Sequence, residues 1–308
     1  MVHARSFSFT DDSTSVALPV AIKSASAPSE ASLNGPHSLE TALLLFQLRQ
    51  AQSSWFQELF QSSRNPLQSS STYIWERCQE MREWSESFPD TLPLAFKDFF
   101  DLELLYSYVY CLAPSCRVPS VTGYGRTLIF EYSMAYMQKI FPISNDPINT
   151  AFYTYHDALR VYFVGSQFIA VLSENLDELL NSAFPYPAVP PGTPPPPPLP
   201  SNAGIANIDR SIKCVNHIKE TLKTFGHRWN DSKALLSSFE AQAESILGAL
   251  QRRKLHVEGI SRNSHSPPVY MSPHGYESMG NFVGRDWSAV MGAQHGNMGS
   301  SSLGHHNT

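Results

Sequence analysis

The stretch Tyr155–Leu180, YHDALRVYFVGSQFIAVLSENLDELL, decides what kind of fold this chain can adopt. It is nearly apolar over its first eighteen residues, yet Arg160 and Gln167 lie inside the run and acidic residues close it. A membrane-spanning helix needs roughly 20 predominantly apolar residues, and an arginine at the bilayer centre costs about 2.5–3.5 kcal/mol on insertion scales. We therefore expect a helix that is buried on most sides in a protein without a membrane span.

The composition indicates a folded core with long irregular stretches. Of the 308 residues, 42% are hydrophobic, which is enough for one sizeable core or two small ones. The 23 prolines indicate unstructured segments. The net charge of −5 provides no long-range attraction to nucleic acid, so DNA binding by this chain alone would need a local basic patch.

The spacing of apolar residues predicts an all-α fold. Seven helices are expected, and the sequence contains no convincing strand. Their approximate ranges are 38–59, 73–84, 93–112, 124–141, 147–180, 207–225 and 231–254. Asp146 followed by Pro147 is a typical helix start, so we place the N-cap of the fifth helix at Asp146.

The irregular segments set the expected domain organisation. Residues 1–37 are rich in serine and alanine without periodicity, and we expect them to be disordered. The helical body is expected over 38–253, with the proline-rich stretch 184–206 as an exposed linker or loop within it. Residues 254–308 are expected to form a disordered Gly/Ser/His tail.

The four cysteines do not predict a metal centre. Cys78, Cys111, Cys116 and Cys214 are scattered, and zinc sites usually need two cysteine pairs or a pair with suitably spaced histidines. The N-terminus lacks the apolar core of a signal peptide, which favours reduced thiols in an intracellular compartment. We expect these cysteines to act as small buried hydrophobic residues.

No catalytic motif is present in the sequence. It contains no G-x-S-x-G, HExxH or P-loop pattern. His156 and Asp157 are adjacent and would point to different faces of a helix. Asp98, Asp101 and Glu103 interrupt an aromatic helix and are expected to form a solvated or paired acidic edge. We therefore predict no catalytic, cofactor-binding or metal-binding residue, no cofactor and no enzymatic activity.

Two further patterns have a structural and a functional interpretation. The proline run resembles ligands of small proline-binding domains, although linkers of this composition produce such runs by themselves. Four cations lie along the helix predicted after the proline run, where they indicate the solvated face of an amphipathic helix rather than phosphate contacts. They are Lys213, Lys219, Lys223 and Arg228.

An ordered series of segments resembles the helical regulatory region of fungal binuclear zinc-cluster transcription factors. The segments are ALLLFQLRQAQSSWFQELF, FFDLELLYSYVYCLAPSCRVPS, ALRVYFVGSQFIAVL and KTFGHRWNDSKALLSSFEAQAESIL, and the resemblance covers about residues 39–253. It implies an all-α regulatory domain in which the opening stretch is a core helix. Gly165 would allow that helix to pack closely against a neighbour.

The chain departs from this family at its N-terminus. The six-cysteine DNA-binding cluster and the dimerisation coiled coil are both missing, since no cysteine precedes Cys78. Either the sequence is a truncated factor, or it is a companion regulator without that module. The resemblance implies a nuclear regulator of pathway genes, including secondary-metabolite genes. It would act on a transcription factor or co-regulator, as a homodimer or heterodimer, without binding DNA directly.

Two other functional classes stay open. One is an α-helical enzyme or small-molecule binder whose tyrosine-rich helices line a cavity. It would be distinguished by convergent polar groups in a closed pocket. The other is a scaffold protein that partners recognise through the proline run.

The cysteine spacing leads to a test. Purified, untagged protein without residues 254–308 should contain no stoichiometric zinc, because the cysteines lack ligand spacing. Elemental analysis measures this directly. One zinc per chain that disappears in Cys111→Ser would contradict it.

Overall fold

Every regular element in the described part of the chain is a helix. The computed structural model describes residues 37–146, 154–182, 184–200 and 206–263, and no strand occurs in these ranges. A π-helical segment, Gln57–Gln61, continues the first α-helix. The α-helices are α1 His37–Phe56, α2 Ser70–Glu86, α3 Leu94–Leu112, α4 Gly123–Ser144, α5 Tyr155–Glu174, α6 Leu176–Leu180, α7 Asn207–Arg228 and α8 Asp231–Asn263. The predicted all-α class is confirmed.

Helix α5 begins later than the sequence predicted. Its N-cap is Thr154, whose backbone N–H donates to the Asp157 carboxylate at 2.8 Å, as in a capping box. The predicted N-cap at Asp146 was therefore wrong for α5, and Pro147 lies outside the described residues. A Thr-x-x-Asp pattern satisfies two backbone donors, whereas Asp-Pro satisfies one and removes another.

The opening stretch forms two helices instead of one. Asn175 has φ −141° and ψ 48°, which is not helical, and it separates α5 from the short helix α6. Periodicity alone did not reveal this break because Leu179, after the break, is still buried. The described residues therefore contain one α-helix more than predicted.

The burial predicted for α5 is confirmed. The helix packs against α3, α4 and α7, and its side chains at Val161, Val164, Phe168 and Leu172 are fully buried. None of the helices in the described residues is both long and apolar enough to cross a bilayer. The helix packs on protein, as its internal arginine predicted.

At Gly165, α5 approaches two neighbouring helices closely. A Cβ atom added there would lie 2.9 Å from Phe239 Cε2 on α8 and 3.0 Å from Ile218 Cγ2 on α7. Both of these side chains are fully buried. The predicted close packing at Gly165 is confirmed, and it involves two helices at once.

Helix α4 lies at the centre of the helical body. It packs against α3, α5 and α7, so helices on both sides of the proline-rich stretch share one core. The Thr122 hydroxyl accepts from the Gly125 N–H at 3.1 Å and caps the start of α4. Tyr132 stacks on Tyr108 of α3 with ring centroids 4.9 Å apart.

The proline-rich stretch is not simply an exposed connection. Gly192 has φ +79°, and the Thr193 N–H donates to the Pro190 carbonyl at 3.1 Å, which forms a tight turn that favours glycine. After this turn, Pro196 and Pro197 are buried. The prediction of an exposed linker was wrong here, because proline rings are apolar enough to pack on the helices.

Helix α8 continues beyond the predicted end of the helical body. It runs to Asn263, whereas the sequence placed a disordered tail from 254 onward. Leu255 and Val257 are exposed, and none of residues 251–257 is buried, so periodicity could not detect this continuation. Arg253 contacts Asp177, and Lys254 donates to Asp209 at 2.7 Å. The segment 1–36 and the residues from 264 onward lie outside the described residues.

The contact at Gly165 leads to a stability test. Gly165→Ala should lower the free energy of unfolding by about 1–3 kcal/mol, because the new methyl group overpacks a closed contact. Urea unfolding followed by circular dichroism measures this change.

Gly248→Ala is the matched control in α8. A Cβ there meets only the Arg252 side-chain end at 3.3 Å, so the variant should be neutral or stabilised by up to about 1 kcal/mol. Equal unfolding midpoints for the two variants would contradict the close-packing argument.

Candidate protein-interaction surface

The three acidic residues of α3 lie in two different environments. Asp98 and Asp101 both face α4, where the Lys139 ammonium lies 3.6 Å from one carboxylate and 2.8 Å from the other. These two residues form the paired acidic edge that was predicted. Glu103 does not belong to that edge, because it is only 2% exposed and faces α1 and α5.

Glu103 joins three helices through two arginines. Arg49 of α1 donates to one carboxylate oxygen at 2.7 Å. Arg160 of α5 donates to both oxygens, at 2.6 and 3.3 Å. The charge inside the apolar opening stretch is therefore neutralised by a carboxylate 57 residues earlier in the chain.

Neutral groups extend this buried polar cluster. Gln52 accepts from Arg49 at 2.6 Å and donates to the Ser107 hydroxyl at 2.6 Å. The Arg160 guanidinium also lies 4.9 Å from the centre of the Tyr106 ring, within cation–π range. Every member of this set binds another side chain across α1, α3 and α5.

The electrostatics show that Glu103 is ionised. Burial raises its pKa, but the guanidinium groups of Arg160 and Arg49 outweigh burial and lower the pKa from 4.5 to about 2. A carboxylate held this way cannot take up a proton near neutral pH, so it is unsuited to general acid–base catalysis. The arrangement is that of a structural ion triad.

A second buried ion pair joins α4 to α7. Both oxygens of Glu131 accept from Arg210, at 3.0 and 2.5 Å, and Arg210 also donates to Asn207. Neither member of this pair was predicted from the sequence. The available signal was a charged residue on the apolar stripe of each helix, since Glu131 lies between Leu128 and Tyr132 in sequence.

Asp157 lies at the edge of the ion triad, with a carboxylate oxygen 3.8 Å from the Arg160 guanidinium, whereas the four cysteines are not part of either ion network. Cys78, Cys111 and Cys214 are buried, while Cys116 is exposed and donates from Sγ to the Leu59 carbonyl at 3.0 Å. Among the described residues, no three histidine, cysteine or acidic side chains are placed to hold a metal ion. Asp157 caps α5, as described above.

The cations of α7 do not form a continuous basic face. Lys219 pairs with Glu240 at 3.1 Å and Lys223 with Glu220 at 3.5 Å. The Arg228 guanidinium lies over the Trp229 ring at 4.9 Å. These contacts match the predicted solvated face of an amphipathic helix.

A polar cleft lies beside the π-helical segment. Its volume is about 520 Å³, and it is open to solvent. Its lining residues are Ser54, Gln57, Glu58, Gln61, Ser62, Ser63, Arg64 and Tyr73. Glu58 is already bound by Arg117 at 2.6 Å, so amides, hydroxyls and the largely exposed Arg64 guanidinium are the groups available to a ligand.

The first turns of α3 expose large apolar side chains to solvent. Leu94 is 73% exposed, Phe96 44% and Phe99 41%, and we call these three residues the α3 patch. They lie just before Phe100, which is fully buried against Trp84 and Phe88. This helix is apolar nearly all round in sequence and was expected in the core, so its exposed end was not predicted.

Comparisons with known proteins gave no relative. No protein-family model, no curated protein and no solved structure matches the chain.

The ion triad leads to a stability test. Glu103→Gln should lower the free energy of unfolding at pH 7 by about 3–5 kcal/mol, because it leaves two arginines near each other without a carboxylate. Asp101→Asn, which breaks a half-exposed pair, should cost less than about 1 kcal/mol. Urea unfolding of both variants measures the difference.

The pH dependence tests the same contact independently. Because the pKa of Glu103 is lower in the folded state than in the unfolded state, its carboxylate stabilises the folded protein at pH values above 4.5. This stabilisation is lost as the pH falls from 4.5 toward about 2. The stability difference between the wild type and Glu103→Gln should therefore narrow across that window. A difference that stays constant from pH 7 to pH 3 would rule out an ionised Glu103 as its source.

Proposed function

We propose that this chain regulates transcription in the nucleus by binding protein partners through its helical surface. The α3 patch is the observation that carries this proposal. The resemblance of the ordered helix segments to the regulatory region of fungal zinc-cluster factors supports it and supplies the biological setting.

The α3 patch has the character of a binding surface. Burying a large apolar side chain contributes about 1.5–3 kcal/mol, so exposing three of them on two helical turns leaves considerable binding energy unused. Clustered exposed apolar residues are typical of protein–protein interaction sites. In contrast, the charged residues of the interior bind one another and offer no reactive group.

We do not propose that this chain recognises a DNA sequence by itself. Sequence readout needs side chains placed in a groove and phosphate contacts that hold the register. Lys219 and Lys223 of α7 pair with glutamates, and the net charge is −5. A transcription factor or co-regulator would provide the contact with DNA.

The polar cleft beside Gln57–Gln61 favours a second candidate, a small-molecule binder. π-helical turns occur frequently at functional sites, and this one presents Gln57 and Gln61 to an open cleft. A small molecule that raises the melting temperature of the wild type but not of Gln57→Ala would favour this function.

The proposed function predicts a change in transcript levels. Deleting the gene should alter a limited set of transcripts, and Phe96→Gln/Phe99→Gln should reproduce the deletion while the folded protein accumulates normally. The matched control is Leu255→Gln/Val257→Gln, which alters exposed apolar residues on α8 and should leave transcripts unchanged. Transcript sequencing and circular dichroism of the purified variants measure both effects.

Two outcomes would contradict the proposal. If neither deletion nor overexpression changes any transcript, a role in transcription is wrong. If the purified chain shifts one promoter sequence selectively at physiological salt, the chain binds DNA by itself, and the dependence on a partner is wrong.

A further inference from the structure

Two of the three registers of the proline strap, Pro194–Pro200, show a burial pattern with a period of three, while the third runs from the buried Pro196 to the exposed Leu199. Pro197 is buried between the half-buried Pro194 and Pro200, while Pro195 and Pro198 are exposed. Polyproline II has three residues per turn, so residues three apart share one edge. One edge of the strap therefore faces the helical body, and another edge faces solvent.

The helical body holds this strap in place. The Tyr132 hydroxyl of α4 donates to the Pro198 carbonyl at 2.6 Å. Burial raises the pKa of Tyr132, so the hydroxyl keeps its proton and is a permanent donor. At the other end, the hydroxyls of Thr193 and Thr72 lie 3.2 Å apart, which connects the strap to α2.

We propose that the solvent-facing edge of the proline strap binds the aromatic-lined groove of a small proline-recognition domain of the WW type. Pro195 and Pro198 provide the two rings, three residues apart, that such a groove receives. Leu199 follows them and is 44% exposed, so it adds an apolar contact beside the second ring.

The chemistry of the segment selects this class of partner. Between Phe184 and Pro200 the sequence contains no aspartate, glutamate, lysine, arginine or histidine. Some recognition domains select their ligands through a charged pocket beside the aromatic groove. Such a pocket would have no oppositely charged side chain to bind in this segment. Recognition must depend on ring stacking and on hydrogen bonds to backbone carbonyls.

The attachment to the body favours binding in two ways. A polyproline segment loses little conformational freedom on binding, and a strap already fixed at Tyr132 loses less than a free peptide. Because Pro196 and Pro197 are buried, a partner can reach the strap from one side only. A shallow groove meets this constraint, whereas a domain that surrounds its ligand does not.

This inference does not depend on the proposed role in transcription, because it is tested between purified proteins. The full-length chain is titrated by calorimetry with a set of isolated WW domains that accept uncharged proline–leucine ligands. An isolated SH3 domain with an acidic pocket serves as the comparison. We expect saturable one-to-one binding to at least one WW domain and none to the SH3 domain.

Variants locate the binding edge. Pro195→Ala/Pro198→Ala should weaken binding about tenfold or more, since it removes both rings. Leu199→Gln should weaken it several-fold without altering any proline. The matched control is Pro185→Ala/Pro190→Ala, which alters two exposed prolines outside the strap, one before the turn and one at its first position, and should leave the affinity unchanged. Thermal melts confirm that each variant is folded.

The proposal is wrong if no WW domain tested binds, or if the SH3 domain binds instead. It is also wrong if the two double variants lose affinity equally. Unchanged affinity of the folded Leu199→Gln and Pro195→Ala/Pro198→Ala variants would exclude this edge as the binding site.

Discussion

The ion triad of Glu103 with Arg49 and Arg160 is the contact on which the arrangement of α1, α3 and α5 depends. Removing charges from water costs several kcal/mol per ion, and only close, well-directed partners recover that cost. A shift of one helix along another by a single turn would separate the charges and leave them buried without partners. The triad therefore fixes the relative registers of three helices that apolar packing alone would specify less strictly. Glu131 and Arg210 impose the same constraint between α4 and α7.

The few charged residues in the core pair with one another, whereas several apolar side chains remain exposed on the surface. Two surface cations of α7, Lys219 and Arg228, are engaged by an acid and by an aromatic ring. Among the described residues, the α3 patch, the solvent-facing edge of the proline strap and a polar cleft are accessible to other molecules. The proposed function uses the first of these as its contact surface. The elements that display them, α3 and the strap, are each anchored to the central helix α4.

Periodicity predicted the helices well because it reports which residues of a helix are apolar. The apolar run around Arg160 predicted the burial of α5, and the close approach at Gly165 was expected from the family resemblance. Periodicity could not predict that Arg160 binds Glu103, since the two residues are 57 positions apart and nothing local relates them. The strap shows a similar limit. Proline composition predicts extended backbone, but the Tyr132 hydroxyl that holds it is supplied 66 residues earlier. The break at Asn175 depends on backbone angles at one residue, and residues 251–257 of α8 contain no buried side chain that would mark its continuation.

The distribution of the thiols has a kinetic consequence. Only the thiolate reacts with alkylating reagents, and burial raises the pKa of Cys78 in α2 and of Cys214 in α7. In the native state, Cys116 alone among the cysteines is exposed to such a reagent. Each buried thiol then reacts only when its own helix separates from the core. The rates at which Cys78 and Cys214 are alkylated would therefore report the local opening of two different parts of the body, without any introduced label.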